Sequence, residues 1–141
     1  MRVLRYMSAA LVGCVLQACA TSANHPRELL QGRWQAVSVS ENGKPSDFEL
    51  TAGTSIEFDH GSFRSVVLGQ MDAGTYRIHE TEIDLEFSQG SISGKTRLGR
   101  FRLDGDVLYL TMPLNSEDRP AAITSAPGCR CVALQLARKR E

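Results

Sequence analysis

Apolar and polar residues alternate along most of the chain from Gly32 onward. The pattern is clearest at residues 82–87, where Ile83, Leu85 and Phe87 are interleaved with three acidic residues. A period of two residues places one set of side chains on each face of an extended strand, so one face is buried and the other is wet. This segment therefore predicts an antiparallel strand with an apolar inner face.

The same alternation predicts further short strands, separated by turn signals such as Asn42-Gly43, His60-Gly61 and Asp104-Gly105. In the first strand the inward residues are Trp34, Val39, and either Ala36 or Val37. An antiparallel meander with about eight short strands avoids exposed edges most simply by closing on itself. We therefore predict an all-β fold, a small eight-stranded antiparallel up-and-down barrel preceded by a short N-terminal helical turn. The predicted elements are the turn at 27–31 and the strands at 32–40, 56–59, 63–68, 74–78, 82–87, 98–103, 106–112 and 131–138.

Charged residues on the outer face suggest a register for one hairpin. If the Gly/Ser-rich loop at 88–95 folds symmetrically about Ile92, acidic and basic side chains meet outside and apolar side chains meet inside. Exposed ion pairs of this kind contribute only a few tenths of a kcal/mol each, so we assign them to register and solubility, not to catalysis. The expected pairs are Glu82 with Arg102, Asp84 with Arg100, and Ile83 with Phe101.

The N-terminus has the pattern of a secretory signal peptide. Arg2 and Arg5 precede the apolar run 6–15, which is too short to cross a bilayer because that needs roughly 20 apolar residues. The run ends in Leu16-Gln17-Ala18-Cys19, which resembles the lipobox of bacterial lipoproteins. The resemblance implies a signal peptide at 1–18, a Cys19 that carries the lipid, a spacer at 19–26 and a barrel domain at 27–141.

Two alternatives to Cys19 stay open. Residues 11–14 form a second acceptable lipobox ending at Cys14, although cleavage there would leave a very short signal. An ordinary signal peptide with incidental cysteines is the other alternative. By the sorting rule for lipoproteins, Ala20 after the cysteine implies an outer-membrane location facing the periplasm. Two acyl chains, palmitate among them, would give a lasting anchor because each buried methylene contributes about 0.8 kcal/mol, so the membrane is the first expected partner.

The net charge and the length of the mature chain limit the functions that it could have. Removal of Arg2 and Arg5 from the 16 basic residues leaves 14, against 16 acidic residues, so the net charge is −2. A protein that binds nucleic acid needs a clustered positive face, and we therefore expect no nucleic-acid partner. The roughly 120 mature residues suffice for one domain with one core.

Cys129 and Cys131 are separated only by Arg130. On an extended strand their Cα atoms would be about 6.5 to 7 Å apart, at or beyond the usual range for a disulfide. The sequence leaves three readings open, which are structural thiols that are free or bridged, a labile disulfide, and a pair of soft metal ligands. A closed zinc site needs four ligands, and no second cluster accompanies this pair.

Short motifs lie in order along the chain at 29–34, 42–45, 74–76, 82–84, 98–101, 104–108, 118–120 and the final strand around Leu134. This ordered set resembles an uncharacterised lipocalin-like domain family that is abundant in planctomycetes. The resemblance covers 28–139 and implies a calycin-type barrel, in which Gly32 and Trp34 are structural and a basic side chain, Arg138 or Arg119, stacks on the indole. Phe101 stands where the family has tyrosine, and the two late cysteines are not part of its pattern. The family implies a fold and no activity.

No catalytic constellation is evident in the sequence. A nucleophile needs a neighbouring base and an orienting group, whereas His25 lies in the spacer and His60 and His79 lie in turns. We therefore expect no catalytic residues, no cofactor and no metal site, so the chain is not expected to be an enzyme. His60 and His79 would form a weak metal or pH-sensitive site only if their turns meet at one end of the barrel.

Two functions remain, and the sequence favours neither. In the first, the barrel interior holds one small apolar ligand, as barrels of this size do. In the second, the interior is a closed core, and the protein is a structural or interaction module of the envelope that binds a partner protein through its outer face or the loop at 115–128. The residues expected to line the interior are Phe58, Tyr76, Ile83, Leu85, Phe101, Leu108, Leu110 and Leu134.

Overall fold

The computed structural model describes residues 25–141. The predicted signal peptide, Cys14 and Cys19 lie outside the described residues. Within the described part of the chain, no helix is long and apolar enough to cross a membrane. The elements in chain order are α1 (His25–Leu30), β1 (Gly32–Glu41), β2 (Lys44–Pro45), α2 (Phe48–Ala52), β3 (Thr54–Asp59), β4 (Ser62–Val67), β5 (Gln70–His79), β6 (Glu82–Gln89), β7 (Thr96–Asp104), β8 (Val107–Pro113) and β9 (Cys131–Arg138).

The strands form a closed antiparallel barrel. Each strand from β3 to β8 pairs with the next one along the chain, β3 also pairs with β1, and β9 returns to pair with β1 along most of its length. The two-residue strand β2 only extends the hairpin at the end of β1. The prediction of a small eight-stranded all-β barrel is therefore confirmed.

The alternating strand directions give the barrel two distinct ends. At the closed end lie α1 and the turns β3–β4, β5–β6 and β7–β8. At the open end lie α2, the β4–β5 turn, the β6–β7 loop and the long connection 114–130 between β8 and β9. The two ends differ in how the interior is filled.

A β-bulge in β1 determines which of the two residues Ala36 and Val37 faces the interior of the barrel. The pairing of β1 with β9 shifts between Ala36 and Ser38, so Val37 is an extra residue that points outward and is exposed. The extra residue changes the parity of the strand. As a result Trp34, Ala36 and Val39 all face the interior, although their spacing departs from strict alternation.

The predicted register of the β6–β7 hairpin is wrong by two residues. Glu82 lies opposite Arg100, Ile83 opposite Gly99, and Asp84 opposite Leu98. The hairpin turns about Ser91 because Gly90 and Gly94 adopt positive φ values of 102° and 85°, which let the chain reverse one position earlier than Ile92. A shift of two residues keeps every side chain on its predicted face.

The acidic residues of β6 are paired by a different arginine from the one expected. Arg119, in the 114–130 connection, lies on the outer face with its Nη2 atom 2.7 Å from Asp84 Oδ1 and its Nη1 atom 2.6 Å from the carbonyl oxygen of Gly99. Arg100 Nη1 lies 3.7 Å from Glu82 Oε1. The long connection is therefore held against the wall of the barrel. Arg119 does not stack on the indole of Trp34, as one of the two expectations had it.

Cys129 and Cys131 form a disulfide with a Cα–Cα distance of 5.2 Å. The distance calculated for an extended strand does not apply here, because Cys129 precedes β9 and Arg130 has a left-handed backbone with φ of 51°. This conformation brings the Cα atoms closer than an extended strand allows. The bridged reading therefore replaces the free-thiol and metal-ligand readings.

Candidate functional site

The closed end of the barrel is plugged by Trp34. Its side chain is 0% exposed, and its indole Nε1 donates a hydrogen bond of 2.8 Å to the carbonyl oxygen of Leu30 at the end of α1. Leu30 is also fully buried in the same cluster. The helix and the indole together form the floor of the interior.

Arg138 locks this floor in place. Its guanidinium lies 4.2 Å from the centre of the Trp34 ring and donates hydrogen bonds of 2.6 Å to the carbonyl oxygens of Leu29 and Gln31. Gly32 fits beneath it because a Cβ atom there would lie 3.2 Å from Arg138 Nη1, and its φ of 114° disfavours other residues. The basic residue that stacks on the indole is thus Arg138, not Arg119.

Asp106 completes the outer side of this arrangement. Arg140 donates a hydrogen bond of 3.0 Å to Asp106 Oδ2, and Arg138 donates one of 3.1 Å to Oδ1. The bond from Arg140 is the largest cause that holds the pKa of Asp106 below 3.8, with Arg138 adding to it and burial opposing it. The carboxylate is therefore ionised throughout the neutral range.

The half of the interior next to the closed end is filled by buried side chains. The rings of Phe58 and Tyr76 meet edge to face with centroids 5.0 Å apart, and the Tyr76 hydroxyl accepts a hydrogen bond of 2.7 Å from Gln31 Nε2. Ile83, Phe101 and Leu108 are buried in the same core. Five of the eight residues expected to line a ligand site thus lie in packed protein and not on the wall of a cavity.

The half next to the open end contains a cavity of about 280 Å³. Leu85, Leu110 and Leu134, the other three residues of the predicted lining, lie on its wall. The strand pattern identifies inward residues but not their height in the barrel, and so it could not separate these three from the other five. Further apolar residues on the wall are Val39, Ile56, Val67, Phe87, Ile92 and Met112.

Arg97 is a charged residue on the wall of this cavity that the sequence analysis missed. The predicted strand began at Leu98, which left Arg97 in a loop, whereas β7 begins at Thr96. The sequence pattern does contain the information needed to place Arg97 on the inner face. Arg97 continues the alternation of the inward residues Gly99 and Phe101 toward the open end.

The rim of the open end exposes apolar side chains. Phe48, in α2, is 83% exposed, and Leu68 lies at the tip of the β4–β5 turn. Leu68 donates its backbone N–H to the carbonyl oxygen of Gly53 at the end of α2, at 3.0 Å, so the two elements lie side by side. Val67, which lines the cavity, and Met71 are exposed next to this turn. The cavity and the apolar rim are thus on the same end of the barrel.

His60 and His79 both lie at the closed end, away from the cavity. His60 contacts the carboxylate of the adjacent Asp59 and is exposed. Within residues 25–141 no group of three or more metal-ligating side chains comes together. These histidines therefore do not contribute to the candidate site.

No protein-family model matches the chain, and no curated protein matches it in sequence. Among solved structures, the fold is similar to the crystal structure of an uncharacterised protein from Bacteroides eggerthii, with a TM-score of 0.52. The two sequences are 14% identical, and the match covers 78% of this chain and 99% of that chain. At this identity the likeness supports the fold alone.

Proposed function

We propose that the protein is a lipid-anchored envelope protein whose lipocalin-like barrel binds one small apolar ligand in its open half. The observation that carries the proposal is the contrast between the two halves of one interior. The closed half is packed around Trp34 and Phe58, whereas the open half has a cavity walled by Leu85, Leu110 and Leu134. Water in an apolar cavity finds few hydrogen-bond partners, so an apolar ligand gains affinity by replacing it.

The size of the cavity limits the ligand. Its 280 Å³ is near the lower end of the roughly 300 to 1,000 Å³ typical of small-molecule sites. A cavity of this size suits a single alkyl chain or a compact ring system, and it is too small for a whole phospholipid.

The structural alternative, a wholly packed barrel, fits only the closed half. A structural protein that binds no ligand would gain stability if side chains filled the open half of the barrel, because protein interiors pack to nearly the density of organic crystals. Apolar side chains on the rim, such as Phe48 and Leu68, also favour a route by which an apolar molecule enters. These features support binding over a purely structural role.

The proposed anchor sets how the barrel is presented. Cys19 precedes His25 by six residues, a length of chain that spans at most about 20 Å. Because α1 belongs to the closed end, an acylated Cys19 holds that end toward the outer membrane and directs the open end away from it. The cavity is then offered to the periplasm.

Ligand binding is tested with the full chain carrying Cys14→Ser and Cys19→Ser, which cannot be acylated. We expect lipid extraction and mass spectrometry to recover a small apolar molecule. We also expect 1-decanol or a related compound to raise the melting temperature. The same chain with Leu110→Phe, which narrows the cavity, is the control and should weaken both effects. Absence of ligand and of thermal stabilisation across a panel of apolar compounds would refute the binding function.

The anchor is tested separately by labelling cells with a fatty-acid analogue. We expect the wild type and Cys14→Ala to be labelled and Cys19→Ala to lose the label. Labelling that persists in Cys19→Ala but disappears in Cys14→Ala would move the lipid to Cys14. An unlabelled wild type would refute the anchor without bearing on the barrel.

A further inference from the structure

Arg97 occupies an unusual place for a charged residue. It lies opposite Leu85 on the neighbouring strand β6, and both residues line the apolar cavity. The next inward residues toward the closed end of β7 are Gly99 and Phe101, both buried. Arg97 is therefore the last inward-facing residue of β7 before the open end, and its side chain is half-buried beside the apolar wall.

Several other arginines of the barrel have acidic partners, which Arg97 lacks. Arg33 pairs with Glu57, Arg119 with Asp84, and Arg138 with Asp106. Among the ion pairs and side-chain hydrogen bonds formed within residues 25–141, none includes Arg97. Glu41, an acidic residue of β1 that also lines the cavity, makes no ion pair with Arg97 among those formed within residues 25–141. A partly desolvated charge without a counter-charge is costly unless a ligand supplies one.

Arg97 also borders a second, polar depression just outside the cavity. This outer groove is lined by backbone and side chains at the start of β7 and in the 114–130 connection, including Lys95, Thr96, Asn115, Ser116 and Glu117. Arg97 is shared between the apolar cavity and the outer groove. The boundary between the apolar cavity and the polar outer groove thus coincides with a guanidinium that makes no ion pair.

From this juxtaposition we propose that the ligand is a single-chain amphiphile with an anionic head group, and that Arg97 binds the head group while the tail fills the open-half cavity. The inference rests on the binding function proposed above and specifies its ligand class. A guanidinium presents a planar set of donors that pairs with two oxygen atoms of a carboxylate or a phosphate at once. The head group then lies at the outer groove, and Lys95 adds positive charge there while Glu117 opposes it.

The experiment compares three ligands with the same tail, decanoate, decyl phosphate and 1-decanol, on the full chain with Cys14→Ser and Cys19→Ser. Isothermal titration calorimetry should show that at least one anionic ligand binds about ten- to a hundredfold more tightly than 1-decanol. Tighter binding of decanoate identifies a carboxylate head group, and tighter binding of decyl phosphate identifies a phosphate.

Arg97→Gln tests the residue itself. It should remove most of the anionic preference and leave the affinity for 1-decanol within about twofold, which also shows that the variant is folded. Arg97→Lys, which keeps the charge but not the two-pronged geometry, should retain part of the preference. The matched control is Arg77→Gln, an exposed arginine on the outer face of β5, which should change none of the three affinities.

Two failures are distinguishable. If none of the three ligands binds, the proposed binding function is refuted. If 1-decanol and the anionic ligands bind equally well, or if Arg97→Gln leaves the anionic preference intact, the cavity still binds apolar chains and only the assignment of Arg97 is overturned.

Discussion

Truncation of Arg138 is expected to destabilise the closed end strongly. Arg138→Ala removes a guanidinium stacked 4.2 Å from the Trp34 ring and two hydrogen bonds of 2.6 Å to the carbonyl oxygens of Leu29 and Gln31. Stacking of this kind contributes about 0.5 to 2 kcal/mol. Each charge-assisted hydrogen bond contributes about 1.5 kcal/mol at the low end of its range, the end that applies because the side chain is 27% exposed. Together these contributions predict that the free energy of unfolding falls by about 3.5 to 5 kcal/mol.

The assay is urea unfolding of Arg138→Ala followed by tryptophan fluorescence, which reports directly on the only indole of the chain, Trp34. The matched control is Arg102→Ala. Arg102 stacks 4.4 Å from the Tyr109 ring on the exposed outer face and makes no further side-chain hydrogen bond within the described residues. Its loss should cost less than about 1 kcal/mol. A loss below 1 kcal/mol for Arg138→Ala, or equal losses in the two variants, would refute the idea that Arg138 locks the floor.

Three further predictions concern other parts of the barrel. Leu110→Phe extends into the cavity and should leave the melting temperature unchanged or higher in thermal unfolding. Leu108→Phe overpacks the closed half and should lower the free energy of unfolding by about 1 to 3 kcal/mol. Equal losses in the two variants would mean that the two halves are packed alike. The pKa of Asp106 is lowered in the fold, so its contribution to stability is present above about pH 4 and disappears as the pH falls through the lowered value. Carbon-detected NMR titration of Arg140→Ala should show this pKa rising toward 3.8, and an unchanged pKa would contradict the assigned cause. Cys129→Ser removes a disulfide that closes a loop around a single residue, so chemical unfolding should show the free energy of unfolding falling by less than about 2 kcal/mol. A larger loss would give the disulfide a greater structural role than its loop length implies.

Most of the fold follows from local sequence patterns. Alternation at Ile83, Leu85 and Phe87, together with turn signals such as Asp104-Gly105, was enough to predict the strands and the barrel. The errors arose where the backbone departs from regular geometry. Positive φ at Gly90 set the register of β6 and β7, and positive φ at Arg130 brought the two cysteines together. Such departures depend on tertiary contacts that periodicity does not record.

The candidate site was less predictable than the fold. Leu108 and Leu110 have the same residue type, the same strand and the same inward face, and both are buried in the core, yet only Leu110 also lies on the cavity wall. Their difference comes from height in the barrel, which depends on where Trp34 and α1 fill the interior. Arg97 was missed because a charge at the end of a strand resembles the start of a loop.

The most direct test of the account is the location of a bound apolar chain within the barrel. We expect a methyl NMR titration of the non-acylated chain with 1-decanol to shift the signals of Leu85, Leu110 and Leu134 and to leave those of Ile83 and Leu108 in place. Shifts centred on Ile83 and Leu108 would contradict a barrel that is packed at one end and binds ligand at the other. The absence of any shift up to the solubility limit of 1-decanol would contradict it as well.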